Sequence, residues 1–298
     1  MNLLDKFENL KMMTDTRISE TDIQFCEANQ AAYQAAKASL PELSYIWTDM
    51  HSTQKDLLAG TGTSANTYLS SGNALSFTDS DIQKQLIAQH TIFIRKLVYY
   101  FNEHYHISID YNTIEENLLP KAPKDNYRSD NKEQIEQYRE QMLHLTLSYT
   151  DIINQIFIQL DGRDLYGQAI YELKEKCHKA AWNIYHKTPD YKCQKNTLQL
   201  ASACRYSSWL GSESWELHDG TKHILSGIAH FETGSLSIFP DGFSNLIGYR
   251  KANSNEYNFS FCQKIKHLKM FKNGRVDIKF ASETYARQFV NDYLGTVC

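Results

Sequence analysis

The stretch IKHLKMFKNGRVDIKF, residues 265–280, reads as two short strands folded about Lys272-Asn273-Gly274. An Asn-Gly pair supplies the positive φ values of a tight hairpin, and strand alternation puts Val276, Ile278 and Phe280 on one face. Ser282 then caps a closing helix, SETYARQFVNDYLG, with Tyr285, Phe289, Val290 and Tyr293 inward and Gly295 at its stop. Working back, TLQLASACRY and SSWLGSESWEL are short aromatic- and serine-rich segments around a short helix near Thr221 to Phe231, punctuated by Gly234 and Pro240-Asp241-Gly242. This is the pattern of a mixed α+β domain.

Upstream of the Asp161-Gly162 turn the pattern is helical. Ser19 or Thr21 caps a helix with Ile23, Cys26, Tyr33, Ala36 and Leu40 on one side, which Pro41 is expected to end. The run AGTGTSANTYLSSGNALS, residues 59–76, reads as a long loop. Asp79 or Ser80 opens an amphipathic helix carrying Ile82, Leu86, Phe93, Leu97, Val98 and Phe101. After the polar segment at 120–131, Ile135, Tyr138, Met142, Leu145, Tyr149, Ile152, Ile156 and Leu160 form one stripe of a further long helix, and after Asp161-Gly162 another runs to just before Pro189. Such stripes bury only against each other, so the sequence predicts an antiparallel helical bundle over 1–160 followed by a smaller α+β domain over 161–298, ending in a β-hairpin and a helix.

The 298 residues carry a net charge of -4. Residues 1–160 hold 13 Lys and Arg against 21 Asp and Glu, a balance of -8, while the remainder holds 18 against 14, a balance of +4. A polyanion is therefore expected to meet the C-terminal half. With no long apolar run and no basic, apolar leader, the sequence predicts a cytoplasmic protein without a membrane partner. Six scattered cysteines with no CxxC pair read as reduced thiols, mostly buried, with Cys298 exposed.

The hairpin carries the strongest candidate site, a basic strip of Lys264, Lys266, Lys269, Lys272, Arg275 and Lys279 with His267 among them. Lysines at that density neutralise phosphates, or else keep a strand edge soluble, and Arg205, Tyr206, Trp209 and Trp215 would add stacking faces. A second candidate is Pro240-Asp241 followed by Asp277-Ile278-Lys279, which resembles over five residues the PD-(D/E)xK nucleases. In that family two acids hold a divalent cation and the lysine helps activate water. Asp241, Asp277 and Lys279 would take those roles.

Other chemistry is not indicated. The eleven histidines match no metal motif, and Cys177 and His178 point apart on a helix. Residues 60–64, GTGTS, lack the P-loop lysine, and GSESW at 211–215 lacks the last glycine of a nucleophile elbow. No cofactor and no metal is expected.

From Asp161 through LKMFKNGRVDIKF and YARQFVNDYLG, the order of helix, aromatic segment, hairpin and closing helix resembles a domain of unknown function carried by bacterial prophages, plasmids and integrative elements. The resemblance implies a mobile-element setting, where accessory genes often counter host defence. The sequence thus points first to a non-enzymatic binding protein engaging nucleic acid or a host nucleoprotein effector, as anti-CRISPR and antirestriction inhibitors do. A metal-dependent nuclease comes second, and a scaffold assembling through the helical half third.

Overall fold

The computed structural model describes residues 17–59, 79–123, 132–183, 188–209, 212–248 and 251–295. Most of the 59–76 loop and residues 124–131 of the polar segment lie outside these. The chain forms two compact units, residues 1–104 with 108–164 and residues 105–107 with 165–298.

In the N-terminal unit Ser19 caps helix α1 (Glu20–Leu58) through a box with Asp22. The helix runs through Pro41, which corrects the expectation that the proline ends it. An interior proline costs about 3 kcal/mol. Beyond it, Trp47, His51, Gln54 and Leu58 recur at helical spacing as a half-buried row, and continuing the helix keeps that row covered. Helix α2 (Asp79–Tyr105) packs antiparallel to α1, with Phe25 stacked on Tyr100 at 3.8 Å and Tyr33 on Phe93 at 4.7 Å. Leu86, Phe93, Leu97, Val98 and Phe101 are buried, as their spacing predicts.

A short helix, α3 (Tyr111–Leu118), capped by Asp110, has no counterpart in the sequence reading. The single long helix expected across Ile135 to Leu160 is instead two, α4 (Lys132–His144) and α5 (Tyr149–Gln159). Ser148 starts α5 with a capping box to Asp151. The carbonyls released by the break find donors: His90 Nε2 serves Met142 at 2.7 Å, and Lys37 Nζ serves Leu145.

The C-terminal unit opens with α6 (Leu165–Ala181), which stops eight residues before Pro189 rather than just before it. The Asp190 N–H takes the Ala181 carbonyl at 2.8 Å, and Trp182 Nε1 donates to the Leu294 carbonyl at 2.8 Å. Trp182 thereby leaves the helix to begin β1 (Trp182–Asn183), paired with β2 (Thr188–Pro189). The main sheet is antiparallel, in the order β3 (Tyr191–Gln194), β4 (Thr197–Leu200), β9 (Val276–Phe280), β8 (Ile265–Met270), β7 (Glu256–Asn258). Strands β5 (Cys204–Trp209) and β6 (Ser212–Leu217) make a separate ribbon. Helices α7 (Asp219–Thr233), α8 (Phe243–Ile247) and α9 (Glu283–Phe289), the last extended by a π turn over Val290–Leu294, complete the unit.

The hairpin turn differs in type from the expectation. Only Gly274 has positive φ, at 84°, while Phe271 accepts from the Gly274 N–H and donates to the Arg275 carbonyl, both at 2.9 Å. This is a type I turn closed by a glycine bulge, the three-residue hairpin solution. Leu198, Leu200, Ile265, Leu268, Met270, Val276, Ile278 and Phe280 are all buried, so one sheet face lies wholly in the core. There Phe231, Phe280, Phe289 and Tyr293 interlock, with Phe289 stacked on Tyr293 at 4.9 Å. Gly227 lets α7 approach α6, since a Cβ there would lie 2.5 Å from Cys177 Sγ. Cys26, Cys177, Cys204 and Cys262 are buried free thiols, while Cys193 is exposed. Cys298 lies outside the described residues.

Candidate nucleic-acid interface

Strand alternation decides what the other sheet face presents. With the apolar residues inward, β9 turns Asp277 and Lys279 outward, β8 turns His267 and Lys269, β4 turns Thr197 and Gln199, and β7 turns Glu256 and Asn258. The register aligns these in two rows. One runs Gln199, Asp277, Lys269, Glu256; the other runs Thr197, Lys279, His267, Asn258.

The first row and the turn end are internally neutralised. Lys269 Nζ lies 3.3 Å from Glu256, whose other oxygen accepts from His267 Nε2 at 2.7 Å, and these two partners hold the Glu256 carboxyl below its ordinary range. Lys272 pairs with Glu213 of β6 at 2.6 Å and covers the Tyr206 ring at 4.6 Å. Arg275 lies 3.0 Å from Asp277 and 4.1 Å above the Phe271 ring. Burial pushes the Asp277 carboxyl up, and Arg275 opposes the shift. Lys264 is not on this face: its ammonium sits 4.5 Å over the Phe231 ring and donates to the Phe231 carbonyl.

The second row is different. Lys266, His267 and Lys279 line a shallow depression of about 590 Å³ with Asn196, Asn258, Phe280 and Ala281, and no carboxylate is in its wall. Lys279 is exposed, and Lys266 is exposed with its ammonium donating to the Cys262 carbonyl. The sequence reading missed Asn196 and Asn258. Asn196 sits in the two-residue turn between β3 and β4, where Lys195 has φ 52°. The signal was present in YKCQKNTLQL, two alternating strands about Lys195-Asn196, but the docking of β4 onto β9 is a long-range pairing with no local mark.

The carboxylates of the nuclease reading lie apart in the fold. Asp241 is exposed in the turn that opens α8, in a cleft with Phe259 and Cys262. Asp277 is on the outer face, opposite Lys269, about 10 Å of strand beyond the Lys266 that pairs with Phe259. Among the described residues, no group of three or more His, Cys, Asp and Glu side chains is placed to hold a metal ion. Of the aromatic residues proposed as stacking faces, Trp215 is buried and packs on Tyr206, and of Trp209 only the backbone is described. Among the described residues no helix is long and apolar enough to cross a membrane.

Compared with protein-family models, curated proteins and solved structures, the chain matches none.

Proposed function

We propose that the protein is a binding protein that docks the phosphates of a nucleic acid, alone or within a nucleoprotein, on the outer face of its C-terminal sheet. The observation that carries this is the depression formed by Lys266, His267 and Lys279 with the amides of Asn196 and Asn258, whose neighbouring carboxylate, Glu256, is held by His267 and Lys269. Two ammonium groups give charge, and the exposed Asn258 amide and the second N–H of Asn196, whose first donates to the Phe280 carbonyl at 2.9 Å, give donors beside them, as phosphate oxygens require. Around it, Lys269 and Lys272 sit in surface ion pairs worth little individually, so a polyanion can exchange with Glu256 and Glu213 for them, while Arg275 is held by Asp277. The open, flat face suits an extended backbone. Its outward rows carry no Phe, Tyr or Trp, and the one imidazole, His267, is bonded to Glu256, so contact to phosphate and sugar is favoured over base stacking.

The resemblance of this half to domains of mobile elements gives the reading its biological form, a cytoplasmic accessory protein that engages host nucleic acid or an anti-defence target built on it. The test is fluorescence anisotropy with labelled single-stranded and duplex DNA and RNA. Lys266→Gln with Lys279→Gln is expected to weaken binding at least tenfold, and Lys269→Gln with Lys272→Gln by less, because the latter two ammonium groups are already engaged by Glu256 and Glu213. Equal losses in both double variants would contradict the assignment of the depression as the phosphate site. No binding by the parent chain to any of these probes would remove free nucleic acid as the partner.

A further inference from the structure

The outer face of α1 carries a second surface of a different kind. Starting at Phe25 and stepping by four and three residues, one reaches Asn29, Ala32, Ala36, Ser39, Leu43, Ile46, Met50, Thr53 and Leu57, all on one side of an unbroken helix. From Ala32 onward the face is half-exposed or exposed, while at its start Phe25 is half-buried, stacked on Tyr100 of α2, with Asn29 beside it. Leu43, Ile46, Met50 and Leu57 are 43%, 54%, 42% and 76% exposed, and Tyr45 beside them is 73% exposed. No other helix of the described residues exposes so many large apolar side chains.

Size along this face is sharply divided. Ahead of Pro41 its central part holds Ala32, Ala36 and Ser39, flanked by Ala28, Ala31, Ala35 and Ala38; beyond Pro41 it holds Leu43, Ile46 and Met50, with Asn29 and Phe25 at one outer end and Thr53 and Leu57 at the other. A surface that is small at one end and large at the other complements itself when a second copy is turned end for end. We infer that α1 pairs with α1 of a second copy of this chain, antiparallel, with the two-fold axis beside Pro41.

The register follows from the spacing. Centring the pair on residue 41 sets Ser39 against Leu43 of the other copy, Ala36 against Ile46, Ala32 against Met50, Asn29 against Thr53 and Phe25 against Leu57. Every large residue in the central three layers meets a small one, which is the condition for close packing of two helices. A parallel pair would set Leu43, Ile46 and Met50 against themselves and leave a void between the alanines. The face spans about 48 Å, between four and five heptads, enough for a helix pair to persist. A strip of that length and about 10 Å width covers about 480 Å², less than the ~800 Å² per partner of a standard stable interface, so the pair is expected to be a weak, concentration-dependent one. Asp49 and Asp56, on one flank, come to lie against the alanine flank of the other copy and not against acids. Glu42, beside the axis, meets its own copy, so the pair carries one built-in repulsion.

The test is sedimentation velocity on the full chain across a concentration series. The parent is expected to show a monomer–dimer equilibrium. Ile46→Glu with Met50→Glu is expected to be monomeric with an unchanged circular-dichroism spectrum, because both side chains are exposed in the single chain. Glu42→Gln is expected to tighten the dimer about threefold by removing the repulsion. Orientation is read by cross-linking: a mixture of Ala36→Cys and Ile46→Cys chains is expected to form a disulfide-linked dimer above the level of the parent, and neither chain alone. A parent that stays monomeric at all concentrations, or a double glutamate variant that still dimerises, would overturn the interface. Cross-linking of Ile46→Cys chains with themselves as readily as in the mixture would overturn the antiparallel pairing.

Discussion

The two units place their polar groups differently. The N-terminal unit ties elements together through two fully inaccessible ones: Asp22 accepts from Ser19 and the Tyr100 hydroxyl, and His90 is set between Tyr33 and the Met142 carbonyl. The C-terminal unit buries Glu172 and Thr221, the latter donating to the Ala203 carbonyl at 2.7 Å, and turns the charges of its main sheet to the outer face. Their surfaces differ as well: helix α1 of the first unit lines up exposed Leu43, Ile46 and Met50, while the sheet of the second presents lysines. The contrast underlies the two kinds of partner proposed for this chain. A helix face lined by Leu43, Ile46 and Met50 gains by being covered, whereas the Lys266 and Lys279 face gains by neutralisation.

The contrast is broken most severely at Phe289, fully buried among Phe231, Phe280 and Tyr293. Phe289→Ala is expected to cost about 3–5 kcal/mol, read from the urea midpoint, because a rigid aromatic cluster collapses poorly onto a cavity. A loss below about 1 kcal/mol would mean that this core is loosely packed.

The effect expected in the N-terminal unit is on pH dependence. A carbonyl only accepts, so Nε2 of His90 carries the proton and Nδ1 accepts from the Tyr33 hydroxyl at 2.8 Å; the ring is held neutral. Burial pushes the His90 pKa below 6.5, and Lys37 adds to the shift. Because the folded value is depressed, its contribution is fully present above about pH 6.5 and is lost as pH falls toward the folded value, by at most about 1.4 kcal/mol per pH unit. His223 and His230 are shifted the same way, so the His90 share is the difference between the parent and His90→Gln over that range. Identical pH slopes in the two chains would show that His90 is not the sensor.

A smaller effect sharpens the account of the broken helix. Ser148→Ala removes the box that starts α5 and is expected to cost about 1 kcal/mol in thermal or urea unfolding. No loss would indicate that the break at residues 145–148 is held by Lys37 and His90 alone.

How much was legible in the sequence follows the same division. The C-terminal hairpin, the inward set Val276, Ile278 and Phe280, and the Ser282 cap are local patterns, and each is present in the fold. In the helical unit the stripes were legible but not their ends. Pro41 is carried through a helix because residues beyond it are half covered, and the Ile135 to Leu160 stripe conceals a break whose carbonyls are satisfied by Lys37 and His90 from other helices. Tertiary donors of that kind leave no trace in local sequence. At the candidate site the lysines were visible by composition, but their differing states were not. Lys264 turns to Phe231, while Lys269, Lys272 and Arg275 find Glu256, Glu213 and Asp277 across strands, so only the strand register separates the committed cations from Lys266 and Lys279.

The central claim, that the depression around Lys266 and Lys279 meets phosphate, is tested most directly by the salt dependence of binding. For duplex DNA each neutralised phosphate contributes about 0.9 to the slope of log K against log salt. The parent is expected to show a steep slope, and Lys266→Gln with Lys279→Gln is expected to flatten it by about 1.8 while leaving thermal stability unchanged. An unchanged slope in the double variant would contradict the claim and place any phosphate contact elsewhere on the molecule.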